Sequence, residues 1–103
     1  MENVHKKLVM SFMDMLILAE LENGPMCGYD AIAFIHDKFG VVVNITTVCS
    51  RLHSVEQDKL VKARIDKRRK NYTLTNKGEK TIKAIRNANS KIQKIIKDLL
   101  QGK

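Results

Sequence analysis

LVKARIDKRRKNYTLTNKG (residues 60–78) holds two alternating apolar/polar runs on either side of four consecutive cations. In the first run Val61, Ala63 and Ile65 alternate with polar residues, and in the second Tyr72 and Leu74 do the same, so each reads as a half-buried strand. Asp66 to Lys70 is short enough to join them as a β-hairpin, which puts Lys67, Arg68, Arg69 and Lys70 at its tip. Thr75 or Asn76 then supplies a helix cap, Asn76 with Glu79 making the pattern of a capping box. From there the pattern predicts one long helix to about Leu100, ~38 Å at 1.5 Å per residue.

Working towards the N-terminus, Asn44 to Thr47 carries cap chemistry for a helix running to about Gln57, with Ile45, Val48, Leu52 and Val55 as its core stripe. Val41 to Val43 is a short strand or an extended lead-in to that helix. Tyr29 to Phe39 is a second helix, with Ala31, Ile32, Ile35 and Phe39 inward and Gly40 as its stop. Phe12 to Glu22 is a third, apolar on most sides and ended by Asn23-Gly24-Pro25. Three helices followed by a hairpin is the element order of a winged helix-turn-helix, mainly α and of the α+β class. Residues 1–75 are expected to form the winged unit, and 76–103 a long C-terminal dimerisation helix within the same compact unit. In such folds the helix before the wing enters the major groove of DNA, and the wing lies along the backbone beside it.

Composition narrows the classes. At 103 residues the chain is one domain, and no apolar run approaches the ~20 residues of a membrane span. The N-terminal stretch contains Asp14, Glu20 and Glu22 and lacks a small-residue cleavage site, so a cytoplasmic location is expected. The net charge of +8 is unevenly divided: residues 1–58 sum to −4 and residues 59–103 to +12. A split of this kind points to a polyanionic partner, double-stranded DNA first and an anionic membrane surface second. Cys27 and Cys49 are too few for a disulfide framework. Cys49 and His53 have metal-ligand spacing, but no C-x-x-C or H-x-x-x-H accompanies them, so neither a metal nor a cofactor is expected. No phosphate-binding glycine loop or nucleophile motif is present, and no enzymatic activity is expected.

Three groups of residues are the functional candidates. Lys67, Arg68, Arg69 and Lys70, with Lys77, would neutralise phosphates and release counterions, and Arg68 or Arg69 could reach a minor groove. The bland alternative is a solvated turn. On the helix before the wing, Thr46, Thr47, Ser50, Arg51 and Ser54 form a small hydrogen-bonding face opposite the core stripe. Thr46 and Thr47 would fix a phosphate near the helix N-terminus, while Ser50, Arg51 and Ser54 would meet base edges. Arg51 alone has a bidentate guanine option, worth about 1–3 kcal/mol of discrimination. On the last helix Ile82, Ile85, Asn89, Ile92, Ile96 and Leu99 repeat at 3-4-3-4-3, a coiled-coil seam with Asn89 at an a position, and a homodimer is expected. The alternatives are folding back on the helix's own domain or lying on a membrane surface. A non-specific architectural DNA binder, or a winged helix that binds protein, remains the competing reading of the whole chain.

DMLILAELENGPMCGYDAIAFI, TTVCSRLHSVEQDKLV and RRKNYTLTNKGEKTI together resemble the PadR-like winged-helix transcriptional regulators, in order and at compatible spacing from residue 8 to about 85. Gly24-Pro25 with Gly28-Tyr29, and Leu74-Thr75 with Gly78, are the most specific elements. The resemblance implies a homodimer built on the long C-terminal helix, often with help from the N-terminal helix, that represses from palindromic operators. It also implies a DNA-facing set that includes Thr47 and Cys49, where the family usually has tyrosine. Arg51, Ser54 and Lys59 depart from the family pattern too, Lys59 standing where glycine is common before the first wing strand. Some members hold a phenolic or drug-like effector between subunits, and nothing in this sequence identifies such a pocket.

Overall fold

The computed structural model describes residues 2–101, so residues 1, 102 and 103 of the expected units lie outside it. Among these residues the order is α1 (Glu2–Ser11), α2 (Met13–Leu21), α3 (Gly28–Phe39), α4 (Ile45–Gln57), β1 (Val61–Asp66), β2 (Arg69–Leu74), α5 (Asn76–Asn87) and α6 (Asn89–Leu100). This is the mainly helical architecture with a two-stranded antiparallel wing that residues 60–78 predict. α2 is apolar on most sides because it is the central helix, with Met13, Ile17, Leu18 and Leu21 buried. Ala31 and Ile35 of α3 and Val48, Leu52 and Val55 of α4 pack into the same core. Val41 and Val43 are buried and Val42 exposed, so this run is an extended connection hung from the core by alternate side chains, not a strand.

Local chemistry fixes the element ends. The Asn44 side chain accepts from the Thr47 N–H at 2.8 Å, capping α4. Gly40 ends α3 in the left-handed region at φ 67°, where a Cβ would be strained. Of the two candidate caps for α5, Thr75 serves: its hydroxyl accepts from the Gly78 N–H at 3.1 Å and donates to the Lys59 carbonyl at 2.6 Å. Strand pairing runs from Val61↔Leu74 to Asp66↔Arg69, leaving Lys67-Arg68 as a two-residue turn. Both turn residues have positive φ, 51° and 69°, as a type I′ hairpin requires and as Asn-Gly would adopt at lower cost. A short third rung is added by Met26, whose N–H and carbonyl pair with Tyr72 on the other edge of β2.

Lys59 also has a positive φ, 63°, a conformation that glycine adopts without strain. Lys59→Gly is therefore expected to stabilise the protein by about 0.5–1 kcal/mol, raising the thermal midpoint by a few degrees. A lower midpoint, measured by circular dichroism, would contradict the strain argument.

Two features depart from expectation. α1 precedes the first expected helix and is tied down by His5, whose Nε2 lies 2.7 Å from the Phe39 carbonyl at the end of α3. The single long C-terminal helix is instead two helices meeting at Ala88 (φ −89°, ψ 8°). There the Ala88 N–H is shared between the Ala84 and Ile85 carbonyls at 3.0 and 3.2 Å, a tightening of the last turn of α5. Phe12, with similar torsions (φ −101°, ψ 11°), separates α1 from α2.

Candidate nucleic-acid interface

α3 and α4 form the helix pair beneath the wing. Gly28, the first residue of α3, lies so close to α4 that a Cβ there would be 3.0 Å from Ile45 Cδ1 and 3.4 Å from Cys49 Sγ. With Val48, Leu52 and Val55 buried, the 3.6-residue period turns Ser50 and Ser54 directly outward, and both are exposed, as is Thr46. Thr47 is half-buried beside the Asn44 cap. Arg51 is not on this outward face. It flanks the core, half-buried, with Nη1 3.9 Å from Oδ1 of Asp14 on α2. That Asp14 oxygen has no hydrogen-bond partner among the described residues. His53 and Gln57 are exposed on the outward side of α4, and the sequence reading did not count them as groove-facing although the helical period could have found them. Cys49 is also exposed, and no three His, Cys, Asp or Glu among the described residues cluster to hold a metal ion.

The four wing cations divide into two pairs. Lys67 and Arg68 form the turn itself and make no hydrogen bond or ion pair among the described residues. Arg69 is turned back onto α3, its Nη2 donating to Asp30 Oδ1 at 2.9 Å and to Cys27 Sγ at 3.1 Å. Lys70 Nζ is 3.7 Å from Glu56 Oε1 on α4 and 5.4 Å above the Tyr72 ring. Lys77 donates to the Asp58 carbonyl at the end of α4 at 2.9 Å, where a cation complements the helix dipole. On the wing's packed face Val61 and Tyr72 are buried and Ala63 and Leu74 half-buried, but Ile65 lies past the edge of the core, 73% exposed among the cations. The other face presents Lys62 and Arg64, two further exposed cations that no motif in the sequence marks as candidates.

These contacts shift ionisation. The Cys27 backbone N–H, with the Cys27 side chain and Arg69, holds the Asp30 carboxyl below the usual carboxylate range against the opposing effect of burial. Arg86 of α5 hydrogen-bonds Glu22 at the end of α2 and lowers it likewise. The Cys27 sulfur, then Asp30, raise Arg69, and the Tyr72 side chain, then Glu56, raise Lys70. A lowered carboxylate contributes stability that is complete above its unfolded pKa, about 4, and is lost as pH falls through the folded value. The urea midpoint is therefore expected to hold from pH 7 to about 5 and fall below about 4, with Asp30→Asn/Glu22→Gln flattening the fall. An equally steep fall in that variant would assign acid sensitivity elsewhere.

The C-terminal stripe also divides. Ile82 is 4% exposed inside the core of its own chain, and Ile85 packs against that core. Asn89 is exposed beside the Ala88 break. α6 buries no residue: Ile92 and Ile96 are half-buried, while Ile95, Leu99 and Leu100 are exposed by 60%, 74% and 78%. Beside α6 runs an apolar groove of 540 Å³ between α1, α2 and α5, floored by residues such as Phe12, Leu16 and Ile85. Val4 and Leu8 of α1 are exposed near its rim.

The pattern of the transcriptional regulator PadR-like family matches residues 17–84, which contain the helix pair, the wing and most of α5. This chain belongs to the PadR-like family. The fold recurs in solved structures. A transcriptional regulator from Clostridium thermocellum is 24% identical, with a TM-score of 0.75 over 89% of this chain and 93% of that one. A PadR family transcription regulator from Clostridium difficile is 23% identical, with a TM-score of 0.76 over 86% and 98%. The PadR of Bacillus subtilis, solved in complex with operator DNA, is 20% identical, with a TM-score of 0.64 over 70% of this chain and 45% of that one. No curated protein matches the sequence. The PadR-like chain is thus a winged-helix, DNA-binding transcriptional regulator. No described helix is long and apolar enough to cross a membrane.

Proposed function

We propose that this PadR-like protein is a repressor that binds palindromic operator DNA as a homodimer, with α4 in the major groove and the wing on the flanking backbone. The observation that carries the reading is an exposed α4 face of Thr46, Ser50, His53 and Ser54 together with an exposed wing turn of two cations, Lys67 and Arg68, unpaired among the described residues. Thr47 stands at the start of that helix. Arg51 reaches a base only by leaving Asp14. The PadR of Bacillus subtilis bound to operator DNA supports the same partner for this fold.

The homodimer reading is supported by α6. Ile92, Ile95, Ile96, Leu99 and Leu100 form a stripe wider than a two-stranded seam, so it suits a site between helices, and the groove beside α1 and α2 is such a site. In a two-fold dimer each α6 would pack against the partner's groove and α1, and any effector between subunits would lie in that space. Two α4 helices about 34–36 Å apart would then read successive half-sites. Occupying roughly 20 base pairs of a promoter blocks access to it, so repression needs no further domain.

Fluorescence anisotropy tests this with a fragment upstream of the protein's own gene and a shuffled control, across a range of salt. A preference of about 10³-fold or more for the native fragment is expected. Equal affinities that collapse together as salt rises would replace the repressor with a non-specific architectural binder. Derepression of a reporter on deletion of the gene tests the sign of regulation.

A further inference from the structure

Arg69 and Lys70 are consecutive on β2, so their side chains leave the strand on opposite faces. Each meets a carboxylate from a different helix: Asp30 of α3 at 2.9 Å and Glu56 of α4 at 3.7 Å. Asp30 is itself held, since its Oδ2 accepts from the Cys27 N–H at 3.0 Å while its Oδ1 accepts from Arg69. The wing needs such help. Its last buried side chain is Tyr72, Ile65 is exposed beyond it, and an unsupported two-stranded hairpin is marginal in water. Among the described residues, Arg69 and Lys70 make the only side-chain bonds between the outer half of the wing and the helices.

Building on the DNA-binding reading above, we propose that Asp30 and Glu56 are positioning residues that brace the wing from both faces, setting the angle at which Lys67 and Arg68 meet the phosphates. Arg69 and Lys70 serve the brace, and the phosphate grip at the tip falls to the two turn residues. Each brace is a partly exposed ion pair that adds little to folding stability. Its effect is geometric: it keeps the turn in one place relative to the α4 face, so that tip and reading helix engage the same site together.

The proposal carries an unusual sign. Asp30 and Glu56 are anions beside a phosphate-binding surface, so simple electrostatics says that neutralising them tightens binding to any DNA. The brace says that it weakens binding to the right DNA. Asp30→Asn is a suitable probe because asparagine has one acceptor oxygen where aspartate has two, so it can keep the Cys27 cap or the Arg69 bond but not both. The experiment compares the duplex that the wild-type protein selects from a random library with a shuffled duplex, over a salt series, for wild type, Asp30→Asn, Glu56→Gln, both together, Arg69→Gln and Arg68→Gln. Thermal melts confirm folding of each variant.

Each carboxylate variant is expected to lose up to about five-fold affinity for the selected duplex, and the double about 20-fold, with binding to the shuffled duplex unchanged or tighter. Arg68→Gln should lower the salt slope by about 1.8 for the bound dimer, ~0.9 from each wing, while Arg69→Gln leaves it unchanged. Tighter binding of the carboxylate variants to both duplexes, or equal slope losses for Arg68→Gln and Arg69→Gln, would overturn the brace. A wild-type protein that selects no sequence would overturn the DNA-reading proposal itself, a separate outcome.

Discussion

Gly78→Ala is expected to cost at least about 3 kcal/mol, enough to lower the thermal midpoint by 10 °C or more and to remove a large share of an ordinary domain's stability. A Cβ on Gly78 would sit 2.0 Å from the Leu60 carbonyl oxygen, 3.0 Å from its carbon and 3.1 Å from Leu74 Cδ2. Two of those three atoms are backbone, and the carbonyl is engaged, accepting from the Thr75 N–H at 3.1 Å. Moving it would break the bond that holds the start of α5 to the residue before β1. Gly78 is therefore required for close approach rather than for unusual torsion. Circular dichroism melts measure the loss. A cost under about 1 kcal/mol would mean that the junction of wing and α5 yields more readily than its hydrogen bonds imply.

Ile92→Asp/Ile96→Asp is expected to give a folded monomer with at least 100-fold weaker binding to the selected operator. The fold should survive because no residue of α6 is fully buried within its own chain, Ile92 and Ile96 being only half-buried at the groove. Two carboxylates in the groove would each lack a cationic partner except near Arg86, and burying them uncompensated opposes association strongly. A half-site held by one reading helix lacks the linked second contact that multiplies affinity in a dimer. Sedimentation should show a mass near 11.8 kDa instead of twice that value. A variant that still sediments as a dimer would move the interface away from α6.

The hairpin was legible because alternation, register and turn all lie within residues 60–78. The core stripes of α3 and α4 were legible for the same reason: each is a local period. α1 was missed because residues 2–11 carry a weak apolar pattern, and what holds them is distant in sequence: Val9 buried in the core and His5 bonded to Phe39. The interruption at Ala88 is masked by the heptad spacing that runs through it, although Asn87, Asn89 and Ser90 around it are weak in helix interiors. The functional surface shows the same boundary. Four adjacent cations look alike in sequence, and which of them stay free depends on strand register and on carboxylates 39 and 14 residues away. Arg51 was assigned to the reading face on its chemistry, whereas its place on the α4 wheel puts it at the flank beside Asp14. Ile82 fits a heptad, but the heptad begins inside the core of the chain that carries it.

In a homodimer gripped through α6, the single non-helical residue at Ala88 would be the pivot of a lever. α6 spans ~18 Å, so a swing of about 10° at Ala88 displaces its far end by ~3 Å, close to the 3.4 Å step from one base pair to the next. In the proposed pair of protomers gripping each other through α6, that pivot would act as the adjusting screw of a pair of callipers. Relatives sharing every DNA-facing side chain could measure off different distances between half-sites by a change at this one joint.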